Sequence, residues 1–135
     1  MKSFNSVRAL GATLATAALI ASGASALADI KDYEFQLVQK QVRKGDGAIV
    51  AVRLVNKKSG KPVPDAVIFA KRIDMAPENM PTMTAPLEPL PSTEPGTYRF
   101  KTNLAMEGGW QLSLGAKVQG ETGTVENKLV FKATP

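Results

Sequence analysis

The chain has 135 residues, 17 Lys/Arg against 12 Asp/Glu, and neither histidine nor cysteine. Without those two residue types there is no disulfide, thiolate nucleophile or Ser-His-Asp triad, and no typical zinc or blue-copper ligand set. Packing alone must hold any domain together.

Residues 1–28 have the form of a signal peptide. Lys2 and Arg8 give a positive start, Ala9 to Gly23 an Ala/Leu-rich apolar run, and Ala26-Leu27-Ala28 a small-x-small cleavage site. The expected mature chain is 29–135, a single periplasmic or secreted domain of 107 residues. The leader is too poor in strongly apolar residues to span a bilayer core, which needs about 20 of them, so no stable membrane anchor is expected. Without Lys2 and Arg8, 15 basic residues face 12 acidic ones, a net charge of +3. Lys57, Lys58 and Lys61 surround a Ser-Gly turn and read as a solvated hairpin tip; a nucleic-acid surface would interleave aromatics with its cations.

Along the mature chain the apolar residues alternate with the period of strands. Tyr33, Phe35 and Leu37 mark the first, and Ala48, Val50, Val52 and Leu54 the second, after the Lys44-Gly45-Asp46-Gly47 turn. Pro62 and Pro64 lead irregularly into a third strand, Ala66 to Ile73. It is apolar on both faces as far as Lys71, so its orientation cannot be read from alternation. Met75 to Pro95 holds six prolines in 21 residues, which forbids a helix and predicts a long, stiffened, irregular connection of a kind that tends to be functional. Tyr98, Phe100 and Thr102 form the next row. After a turn at Met106 to Gly109, Trp110, Leu112, Leu114, Ala116 and Val118 alternate cleanly, and Val125, Leu129 and Phe131 close the chain. Six or seven strands without helical periodicity indicate an all-β antiparallel sandwich, with a small barrel as the second choice.

The chemistry concentrates between Asp74 and Trp110. Met75, Met80, Met83 and Met106 are the only methionines after the leader, and Trp110 is the only tryptophan. Thioethers are soft, neutral ligands that suit Cu(I) or Ag(I), but methionine also fills cores well. Met80 and Met83 flank Pro81-Thr82 in a polar stretch with no apolar periodicity to bury them. Trp110 reads as a core aromatic whose face could alternatively cap a monovalent ion. The carboxylates Asp74, Glu78, Glu88 and Glu94 read as solvated loop charge. With acids scattered along the chain, no enzyme is expected.

The run Gly60-Lys61-Pro62-Val63-Pro64-Asp65-Ala66-Val67, followed by Met75, Met80-Pro81, Met83, Pro95-Gly96-Thr97-Tyr98 and Met106-Glu107-Gly108-Gly109-Trp110, resembles the YtkA-like/FixH family. The resemblance spans about Val50 to Val118. It implies an immunoglobulin-like β-sandwich of about seven strands, exported or membrane-anchored, found beside copper and heavy-metal efflux or copper-oxidase assembly components. By that resemblance Met75, Met80, Met83 and Met106 are the candidate metal ligands. The expected partner is a periplasmic metal-transport or oxidase-assembly protein, with no role for nucleic acid. The expected function is Cu(I) or Ag(I) buffering, transfer or efflux support. The alternative is a metal-free interaction module that docks a partner through its Pro/Met-rich loop.

Overall fold

The apolar rows of the sequence become the facing surfaces of two sheets. The structure, a computed structural model, describes residues 29–135, and the expected signal peptide with its cleavage site lies outside them. The strands are β1 Tyr33–Leu37, β2 Gln41–Arg43, β3 Gly45–Asn56, β4 Val67–Met75, β5 Met80–Ala85, β6 Glu88–Leu90, β7 Thr97–Leu104, β8 Gly108–Lys117 and β9 Val125–Thr134. One sheet has the order β1-β3-β7-β6 and the other β2-β9-β8-β4-β5. Pairing is antiparallel except between β2 and β9, which run parallel. The fold is therefore the expected immunoglobulin-like β-sandwich.

Inward residues of both sheets make one core. Phe35, Val50, Val52, Leu54 and Phe100 come from the four-stranded sheet, and Ile73, Met75, Trp110, Leu112, Ala116 and Phe131 from the five-stranded one. Each large side chain buried this way contributes roughly 1.5–3 kcal/mol, which is how an unbridged domain holds together. Phe35 and Tyr98 meet edge-to-face with centroids 6.3 Å apart. The Tyr98 hydroxyl donates to the Val63 carbonyl at 2.6 Å and accepts from the Ala66 N–H at 3.1 Å, so it secures the irregular segment before β4. The lysine-rich turn is an exposed hairpin tip as expected. There the Gly60 N–H donates to the Asn56 carbonyl and the Asn56 side chain accepts from Lys58 and Ser59.

Two expectations need correction. The structure has nine strands rather than about seven, and the stretch from Met75 to Pro95 is not a structureless connection. A 3-10 turn, Ala76–Glu78, folds there first, and β5 and β6 follow, each on the edge of a different sheet. Pro81 and Pro89 are compatible with these strands because an edge strand has one side free of ladder bonds. The prolines exclude helix and central strand, and two short edge strands satisfy both conditions.

β4 also explains why its faces could not be assigned from sequence. Ile68 pairs with Ala116 and Ala70 with Gly115, so Phe69 is an extra residue at a bulge. Beyond it the alternation changes phase. Lys71 stands opposite the buried Leu114, and Ile73 opposite the buried Leu112.

Candidate metal centre

Met75, Met80 and Met83 lie on the paired strands β4 and β5 and Met106 in the turn before β8, in unequal environments. β4 runs two residues beyond the expected Ile73 boundary, which places Asp74 and Met75 in the strand. Met75 is 0% exposed and belongs to the core. Met80 is its partner across the β4–β5 pair, at the irregularity that follows Asp74. Met80 and Met83 are half-buried and pack against the core. Met106 lies in the turn between β7 and β8 and is exposed. Thus Met80 and Met83 do enter a core margin, against the expectation that the polar stretch offers none. β5 supplies that margin, with Met80, Met83 and Ala85 half-buried and Pro81, Thr82 and Thr84 exposed.

The surrounding backbone is firmly tied. Asn79, in the left-handed conformation at φ 61°, turns the chain from the 3-10 segment into β5. Its N–H donates to the Ala76 carbonyl. The Asp74 carboxylate accepts from the Ala76 N–H at 2.9 Å and from Arg72 Nε at 2.8 Å, while Arg72 Nη2 donates to the Pro81 carbonyl at 2.7 Å. This clamp fixes β5 against β4. Glu78 Oε2 accepts from the Gly109 N–H at 2.7 Å, joining the 3-10 turn to the start of β8. The Met75 methyl and the Glu78 carboxylate oxygen lie 3.3 Å and 3.1 Å from the point a Cβ on Gly108 would occupy. A side chain at 108 would enter the space they share. Trp110 is 1% exposed, and its indole N–H donates to the Met106 carbonyl at 3.0 Å, so the ring sits in the core while its polar edge holds the methionine turn.

The reading of Asp74 as solvated loop charge is therefore wrong, while Glu78 is exposed in the 3-10 turn as expected. Asp74 is buried and doubly hydrogen-bonded, and Glu78 caps a neighbouring strand's backbone. The cue was Arg72-x-Asp74, a cation and a carboxylate two apart on one strand face, but the bulge at Phe69 hid which face that was. Among the described residues no group of three or more His, Cys, Asp or Glu is placed to hold a metal ion. The thioethers of Met75, Met80 and Met83 lie at this end of the fold beside the Asp74 and Glu78 carboxylates, and they are soft and uncharged.

The YtkA-like family pattern matches residues 27–115, which include all four methionines and Trp110. This chain belongs to the YtkA-like family. The match takes in β1 to β7 and most of β8, and it stops before β9. No curated protein matches the YtkA-like chain. A solved structure described as the ZirS C-terminal domain is similar to it at 10% identity and a TM-score of 0.43, covering 100% of this chain and 82% of that one. No helix among the described residues of the YtkA-like domain is long and apolar enough to cross a membrane.

Proposed function

We propose that this YtkA-like domain is an exported, non-enzymatic binder of Cu(I), or of Ag(I), that buffers the ion or passes it to a periplasmic metal-transport or oxidase-assembly partner. The observation that carries the reading is the pairing of Met75 with Met80 across β4 and β5, with Met83 packed on the same core margin. Three neutral thioethers on one clamped hairpin form a donor set that favours a soft monovalent ion and gives hard divalent ions little. Met80 and Met83 are the ligands an arriving ion would reach first, and Met75 lies behind them. Met106 would join by movement of its exposed turn, and Trp110 acts by fixing that turn through its bond to the Met106 carbonyl.

The full burial of Met75 favours a second reading, in which the methionines only seal the hairpin and the domain is a metal-free interaction module. Titration of purified protein with Cu(I) under reducing conditions, against a competing chelator, separates the two. The metal reading predicts stoichiometric binding that is lost when Met80 and Met83 are both changed to leucine, with stability unchanged because size and apolarity are kept. Binding by neither protein, or equal binding by both, contradicts it.

A further inference from the structure

The outer face of the five-stranded sheet carries exposed apolar side chains among its charged ones. Val67, Phe69 and Val130 all stand on it, and each is more than half exposed. β8 has only small outward side chains over part of this face, Ser113 and Gly115. The register sets Arg72 and Lys128 on either side of Ser113, and Ala70 and Glu126 on either side of Gly115. A hollow of about 560 Å³ results, within the roughly 300–1,000 Å³ usual for small-ligand sites. The Phe69 ring lies over Gly115, with Cζ 3.1 Å from the point a Cβ there would occupy. Phe69 is nonetheless 55% exposed, so it remains available as an apolar wall.

Charge is distributed unevenly along this hollow. Around Ser113 are Arg72, held in place by Asp74 and the Pro81 carbonyl, and Lys128, which has no ion-pair partner among the described residues. Glu126 is the one carboxylate lining the hollow and stands beside Gly115, accepting from the Thr124 hydroxyl. An anionic group would be turned away from Glu126 and toward Ser113, while an apolar group would lie beside Phe69. A larger hollow, about 730 Å³, is lined by Glu34 and Glu94 together with Arg53 and Lys57, and it has no aromatic wall.

We propose that this face binds a small aromatic carboxylate, its ring against Phe69 and Ala70 and its carboxylate between Lys128, Arg72 and the Ser113 hydroxyl. The site does not rest on the Cu(I) reading, because Met75, Met80 and Met83 pack on the core side of the same sheet and Met106 lies in the turn before β8. Titration of purified, metal-free protein with 3-phenylpropionate, followed by amide NMR shifts, tests it. Saturable shifts are expected at Phe69, Ser113 and Gly115. Binding of 3-phenylpropan-1-ol, which lacks the charge, and of propionate, which lacks the ring, should each be weaker by about fivefold or more. Lys128→Gln should weaken 3-phenylpropionate by about fivefold while leaving the alcohol unchanged. Phe69→Leu should weaken both aromatic probes, and the unaffected fold of Lys128→Gln keeps the test valid if Phe69→Leu is unstable. Shifts that do not saturate, equal binding of acid and alcohol, or insensitivity to Lys128→Gln would overturn the proposal.

Discussion

Gly96 is a position where backbone and packing both resist any side chain, and the two effects can be separated. Its φ is +81°, and a Cβ there would lie 2.4 Å from Pro62 Cβ and 3.1 Å from both Pro62 Cα and Val63 N. The neighbours cannot easily retreat. The Gly96 carbonyl accepts from the Leu54 N–H, Val63 N–H donates to the Leu54 carbonyl, and Pro62 bridges to Val55. Forcing alanine into a left-handed conformation costs roughly 1–2 kcal/mol, and overpacking against a fixed backbone adds roughly 1–3 kcal/mol. Gly96→Ala should therefore destabilise the domain by about 2–5 kcal/mol, a large part of the roughly 5–15 kcal/mol a domain usually has. Gly120 is the control, with φ +85° and nothing within 4 Å of an added Cβ. Gly120→Ala should show only the conformational cost of roughly 1–2 kcal/mol. Urea unfolding of both variants beside the wild type measures the difference. Equal losses would mean that Pro62 does not press on Gly96, and the packing of this turn would have to be redrawn.

Further outcomes follow from the core and from the tyrosines. Trp110→Ala should cost about 3–5 kcal/mol in urea titration, because the ring is buried and its N–H holds the Met106 turn; a loss below about 1 kcal/mol would show that the ring is not part of the core. Burial pushes the Tyr98 phenol above its ordinary value near 10 and the charge of Asp65 adds to the rise, while the Ala66 N–H pulls the other way. Tyr33 is raised as well, by burial first and then by its bond to Glu121. A group with a raised folded-state pKa adds stability that is fully present below the unfolded value and lost as pH rises through the folded one. Stability should thus decline above about pH 10, and Tyr98→Phe, although less stable at neutral pH, should decline less steeply. Parallel alkaline limbs for the two proteins would refute that assignment.

Much of the sandwich was legible because a half-buried strand leaves a period-two record. β1, β3, β7, β8 and β9 carry it plainly, as in Tyr33-Phe35-Leu37 and Trp110-Leu112-Leu114-Ala116. The unread strands lack that record for different physical reasons. β2 has only Val42 to bury, and its register partners in β9 are 91 residues distant in the chain and parallel to it. β5 and β6 carry prolines that signal loop unless the strand is known to lie on an edge. In β4 one extra residue at Phe69 inverts the phase, so that Lys71, although exposed, stands opposite the buried Leu114, and Arg72 opposite Ser113. For the candidate site, the sequence placed the four methionines in one stretch, and the β4–β5 pairing sets Met80 opposite Met75. The sequence did not reveal that Met75 is buried while Met106 is exposed, because that depends on β4 extending to Met75 and on the 3-10 turn folding over Gly108 and Gly109. Glu78 was equally unreadable, since its partner is a backbone N–H 31 residues away.

The central claim is that copper is held by thioether sulfur on the β4–β5 hairpin. The most direct test is the copper X-ray absorption spectrum of protein loaded with Cu(I) and freed of excess metal, recorded at about pH 5 and pH 7, a range over which a histidine site would titrate but a thioether site would not. The account predicts a first shell of sulfur scatterers alone, unchanged between the two pH values, and loss of retained copper in the Met80→Leu/Met83→Leu protein. A first shell of nitrogen or oxygen, or no retained copper in the wild type, would contradict it.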